Sequence, residues 1–159
     1  MASGDNHIFA QYIYSMAITG LPVLWASDTL KAGIVTNVTV PAVTSADPRW
    51  GAGGTTNFST NEVTPGGAYS AGGITLTAPT VSLSSSNINL NITSPISLAS
   101  NASNPTGAYW VIIYSFTSAG KQCTNYIDLG GPISLVSGLQ LNINGASSGT
   151  QILMQNTVA

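Results

Sequence analysis

The chain has one histidine, His7, and one cysteine, Cys123, so covalent or metal chemistry would have to pass through single residues. A hydroxyl or thiol nucleophile needs a base within hydrogen-bond reach and a third group to orient that base. His7 lies at the foot of an expected helix near the start of the chain and reads as a capping or solvent-facing residue. No Ser-His-Asp set can be completed elsewhere, and no Gly-x-Ser-x-Gly elbow occurs. Metal sites of the zinc type draw several ligands from Cys and His, which occur once each here. Cys123 has no partner for an intrachain disulfide and reads as a small core hydrophobe on a strand. Lys121 is the one cation near it in sequence, weak grounds for a lowered thiol pKa.

The acids are Asp5, Asp28, Asp47, Glu62 and Asp128, no two of them neighbours. Glycoside hydrolysis needs two carboxylates facing one bond. Asp47 and Glu62 could meet across a long loop, which leaves a polysaccharide depolymerase open. The alternative is that Asp47, Arg49 and Glu62 pair with one another and fix that loop. Asp128 with main-chain oxygens could hold calcium, yet no Asp-rich loop accompanies it. Gly51-x-Gly53-Gly54 lacks the strand–helix setting and the lysine of a phosphate cradle. The expectation is a non-enzymatic protein without cofactor or metal.

The surface points the same way. Charged residues make up 5% of the 159 positions, where a soluble domain carries about 25%. Ser, Thr and Asn, 51 residues together, stand in their place. Hydroxyls and amides keep a surface wet but supply little repulsion between molecules, so close and permanent packing against neighbours is tolerated. Lys31, Arg49 and Lys121 are too few and too scattered for a phosphate-binding patch, which sets nucleic acid aside. The apolar stretch from Ile8 to Trp25 has no basic flank and is interrupted by Gln11, Ser15, Thr19, Gly20 and Pro22. The run Tyr109–Phe116 is far short of the ~20 residues of a spanning helix. A soluble protein with no targeting signal and no membrane partner is expected.

The elements that must position these residues form one domain over 1–159. Asp5-Asn6-His7 offers N-capping side chains, and Ile8-Phe9, Tyr12-Ile13 and Met16-Ala17 recur at helical spacing, predicting a helix or docking arm over 5–20 closed by Gly20 and Pro22. Leu30–Val35 reads as a first strand. Residues 37–73 are a long Gly-rich loop, and so long a connection is expected to be functional or pinned by its own aromatics. Trp50, Phe58 and Tyr69 either pin the loop to the strands or, with Arg49, form an interface that anchors a neighbour. From Ile74 to the end, strand signals follow quickly. Ile74-Leu76, Val81-Leu83, Ile88-Leu90-Ile92 and Ile96-Leu98 alternate with polar residues, predicting one buried and one wet face. Tyr109–Tyr114 is continuously apolar and reads as a central strand, turned by Ser118–Lys121 into Cys123–Leu129, which Gly130-Gly131-Pro132 breaks. Ile133-Leu135, Leu139-Leu141-Ile143 and Ile152-Met154 finish the set. Around eight short strands fit a mostly β chain, an antiparallel, jelly-roll-like β-sandwich with one short N-terminal helix.

Three segments in this order resemble a group of small tailed-bacteriophage virion structural proteins. They are the helix followed by Ser27–Thr36 (SDTLKAGIVT), the turn-rich Asn61–Gly73 (NEVTPGGAYSAGG) ahead of a strand, and the pair Tyr109–Tyr114 with Tyr126–Gly130. The resemblance implies a β-sandwich decoration or cement protein on the capsid surface of the virion. Its partners would be the major capsid protein and further copies of itself, as a homo-oligomer, dimer or trimer. Related proteins on tails make an adhesin that binds a host-surface glycan the second expectation.

Overall fold

Leu30–Val35 folds as strand β2, and its almost unbroken burial marks it as interior to a sheet. The computed structural model describes residues 5–18, 23–84, 87–143 and 151–157. β2 lies between β9 (Ala108–Ser115) and the short β5 (Ile74–Thr75). Beyond β9 come β10 (Cys123–Ile133) and β1 (Asn6–Ile8), completing a five-stranded antiparallel sheet. A second antiparallel sheet holds β7 (Asn87–Ile92) between β6 (Thr80–Ser84) and β12 (Gln151–Thr157). β8 (Ile96–Leu98) pairs antiparallel with β11 (Leu139–Leu141). Inside the long loop, β3 (Pro48–Arg49) and β4 (Thr56–Asn57) make a two-residue parallel pair. The fold is therefore mostly β, built largely from antiparallel sheets, with one α-helix among the described residues, α1 (Ala10–Ile18).

Register shows why β9 is apolar at both parities from Ala108 to Tyr114. Gly33 pairs with Ile112, and Tyr126 with the same Ile112 from the other side, so these residues share one face with Trp110 and Tyr114. Trp50 stacks on Tyr114 (centroids 4.8 Å apart, planes at 10°), while Phe9 packs on Tyr126 at 5.0 Å and on Phe58 at 5.8 Å. The long loop and the segment leading into α1 thus cover this face. On the opposite face, Ile34, Val111, Ile113 and Ile127 are buried in the same hydrophobic cluster as Leu90, Ile92, Ile96 and Leu98. A strand covered on both sides needs apolar residues at both parities.

Four expectations are corrected. The helix starts at Ala10, because Asn6, His7 and Ile8 pair with Ile127, Tyr126 and Asn125 instead of capping it. Ladder hydrogen bonds along an open strand edge, with His7 stacked on Tyr126 at 5.0 Å, outweigh the weak helix propensity of three residues. Gly20 and Pro22, the expected stop, lie outside the described residues. Gly130-Gly131-Pro132 does not break β10, which continues to Ile133 through a register shift after Asp128. Gly130 and Gly131 take positive φ (82° and 124°), and the Gly130 amide donates to the Asp128 carboxylate at 2.7 Å. That bulge absorbs the proline, which a regular ladder would reject. Ile133 consequently closes β10 rather than opening a further strand. Finally, Val81 and Leu83 alternate as expected but face solvent, because β6 lies at a sheet edge beyond the reach of the core.

Candidate interaction surface

The structure places Trp50, Phe58 and Tyr69 inside the chain, each buried, so in the free protein they pin the loop instead of presenting it. The Trp50 amide donates to the Lys121 carbonyl (2.9 Å), and the Phe58 amide to the Arg49 carbonyl (3.0 Å). The Tyr69 hydroxyl accepts from the Ile34 amide (2.8 Å) and donates to Glu62 (2.9 Å), whose same oxygen accepts from the Gly72 amide at 2.7 Å. Asn104, missed by sequence reasoning, is a buried hub. Its carbonyl accepts from the Ala68 amide, and its amide donates to the Ala99 and Leu135 carbonyls, all at 2.8 Å. Nothing local distinguishes it from the chain's other asparagines.

The charged residues divide by task. Arg49 pairs with Asp47 (3.0 Å) and donates to the Gly120 carbonyl (3.3 Å), while Glu62 serves Tyr69 and Gly72. The expected three-way pairing of Asp47, Arg49 and Glu62 is therefore a pair and a separate tie, because the Tyr69 hydroxyl and Gly72 amide claim Glu62. Among the described residues, no three of His, Cys, Asp and Glu gather closely enough to hold a metal ion. No described helix is long and apolar enough to cross a membrane.

An open groove of ≈ 830 Å³ runs beside α1, lined by Gln11, Ser15, Asp28, Asp47, Arg49 and Gln122 among others. Its polar groups already hold one another. Gln122 and Gln11 reach the Ser15 hydroxyl at 3.1 and 3.4 Å, and Asp28 accepts from the Ser115 hydroxyl at 2.7 Å. The groove can order a polar ligand but offers no exposed aromatic floor, since Tyr12 and Trp50 are buried.

The helix beside the groove is inverted. Its buried side carries Tyr12 and the polar Ser15, while Ile13, Tyr14 and Ile18 face solvent at 45%, 55% and 62% exposure. Met16 and the following Leu24 are exposed too. No residue of α1 is charged. An amphipathic surface helix ordinarily turns its apolar stripe inward, whereas α1 leaves an uncharged, apolar face in solvent.

Cys123 is fully buried, and burial pushes its thiol well above the usual range, outweighing the pull of Arg49. The thiolate is the reactive form. At pH 8 a thiol reagent is expected to leave the folded protein unlabelled and to take up one equivalent on unfolding in denaturant. Rapid labelling of the native protein would contradict this placement.

Comparison of the chain with protein-family models, with curated proteins and with solved structures finds no match.

Proposed function

We propose that this chain is a cement protein of a tailed-phage head, binding the outer surface of the shell and holding its subunits together. Its partners are the major capsid protein and other copies of itself. The apolar solvent face of α1 carries the reading: Ile13, Tyr14 and Ile18 present uncharged contact area that the described residues leave uncovered. The resemblance of the three segments named above supports it, as does a surface of hydroxyls and amides that packs closely without charge repulsion. A clamp of this kind adds buried area across subunit junctions. An interface of about 1,600 Å² holds tightly when complementary, and the stabilisation rises with occupancy by mass action.

The test is to add the purified protein to shells that lack it, count bound copies, and measure genome release on heating. Stoichiometric binding that changes little from low to moderate salt is expected, because eight charged side chains leave few ion pairs to screen. Tyr14→Asp and Ile18→Asp, both on exposed positions, are expected to lower occupancy about tenfold or more, roughly 1.4 kcal/mol each, with folding unchanged. Equal heat survival of depleted particles would overturn the reading. Loss of host attachment in those particles would favour the second reading, a tail adhesin, for which the groove beside α1 is the place a glycan would fit.

A further inference from the structure

From Val63 to Gly120, and again from Leu129 to Ala159, the sequence has no charged residue. The three-stranded sheet lies wholly within these stretches. Its edge strand β6, Thr-Val-Ser-Leu-Ser, is paired to β7 through five consecutive residues without a bulge, and its other side is unpaired among the described residues. Val81 and Leu83 are 50% and 75% exposed, so no described residue covers it. Exposed edges are ordinarily protected by charge, proline, a bulge or a covering loop. Thr80–Ser84 has no charge, proline or bulge, and among the described residues no loop covers it.

We propose that β6 is a self-association edge and that its occupant is β6 of a second copy, added antiparallel about a two-fold axis at Ser82. This deepens the homo-oligomer part of the function proposed above. The strand is complementary to itself in that register. Ser82 meets Ser82 of the partner, Val81 meets the partner's Leu83, Leu83 meets the partner's Val81, and Thr80 meets the partner's Ser84. Directly opposed residues share a face, so all four apolar side chains gather on one side of the joint and the Thr80 and Ser82 hydroxyls on the other. Val81 pairs across β7 with Leu90, a buried residue, so the joint extends the apolar face of the existing sheet. With no charge on either strand, like meets like without repulsion. A two-fold contact of this kind closes on itself, whereas pairing β6 with another copy's β12 would propagate into a fibre. A five-residue strand joint is small beside a standard interface, so the free dimer is weak and exchanges with monomer. Copies concentrated on a surface associate more completely.

The experiment uses the free protein, without shells, so that its outcome is independent of what the protein decorates. Sedimentation across a concentration series is expected to show a monomer–dimer equilibrium. Leu83→Lys is expected to weaken the dimer about tenfold or more, with an unchanged circular dichroism spectrum. Under mild oxidation, Ser82→Cys is expected to form a disulfide-linked dimer, because the two-fold axis places the new thiols directly opposite each other. The wild type, with its buried Cys123, should form none. A wild type that stays monomeric, a trimer or open polymer, a dimer indifferent to Leu83→Lys, or a Ser82→Cys variant that does not cross-link would each overturn the proposal.

Discussion

Trp50→Ala is expected to lower the folding free energy by about 3–5 kcal/mol, the usual cost of deleting a fully packed large aromatic. For a chain of this length that is a fall in Tm on the order of 10 °C. The indole is buried in a parallel stack on Tyr114, and its far edge lies against Gly33 in the middle of β2. Gly33 has no side chain to relax into the gap, so the cavity persists. The converse change is as informative. A Cβ built on Gly33 overlaps the six-membered ring of Trp50, so Gly33→Ala must displace the indole or the strand. Overpacking of this sort costs about 1–3 kcal/mol. In the double variant the alanine methyl enters space the indole has vacated, so Gly33→Ala should be nearly harmless there. A double-mutant cycle in thermal or denaturant unfolding measures that coupling. Additive losses would mean that the two positions do not share the slot. An equally stable Trp50→Ala protein would mean that the ring is idle.

This slot also shows how far the sequence could be read. Leu30–Val35 is legible to the residue, because a strand covered on both faces writes apolar residues at both parities, interrupted here only by Lys31. Ile96–Leu98 and Tyr109–Tyr114 are legible for the same kind of reason, each parity of residue reporting its own face. That Trp50, Phe58 and Tyr69 either pin the loop or meet a neighbour was also legible. Choosing between the two required the register that sets Gly33 beside Ile112 and leaves room for the indole. Asn6–Ile8 could not be read as a strand, because its partner lies more than a hundred residues away and three residues carry no period of their own. The alternation Val81-Leu83 told which residues share a face but not that the core ends before reaching them. Helical spacing between Ile8 and Ala17 was visible, yet the chain is apolar on both sides of α1. Only packing shows that Ser15 points in while Tyr14 and Ile18 point out. The Glu62 tie was hidden likewise, since its partners are a tyrosine hydroxyl and a glycine amide chosen by the fold.

Unfolding in alkali is expected to be steep, beginning above pH 10 and complete near pH 12. Tyr12, Tyr69 and Tyr114 are all buried, and burial raises each pKa from its ordinary value of about 10. Tyr12 is pushed up to about 12, with the Asp28 carboxylate adding to the effect of burial. Tyr69 and Tyr114 are raised further, burial again leading, with Glu62 adding repulsion. Above pH 10 the unfolded chain gives up these protons while the folded chain keeps them, so rising pH favours unfolding. The stability tied to the neutral phenols is whole below pH 10 and is lost as pH climbs toward the folded values. Each group contributes a slope of about 1.4 kcal/mol per pH unit in that window. Three together give about 4 kcal/mol per unit, or about 8 kcal/mol by pH 12, enough to exhaust the lower half of the ordinary domain range of roughly 5–15 kcal/mol. Tyr114→Phe keeps the stack on Trp50 and loses one hydrogen bond, from the hydroxyl to the Gly72 carbonyl at 2.7 Å. It is expected to cost about 1 kcal/mol at neutral pH and to flatten the alkaline slope by about a third. The check is to follow tyrosinate absorbance and tryptophan fluorescence together through an alkaline titration. Tyr12, Tyr69 and Tyr114, and with them the buried Tyr126, whose pKa burial also raises, should ionise only as the fluorescence reports unfolding. Smooth ionisation of all six tyrosines near pH 10 in a protein that stays folded would show these rings to be solvated.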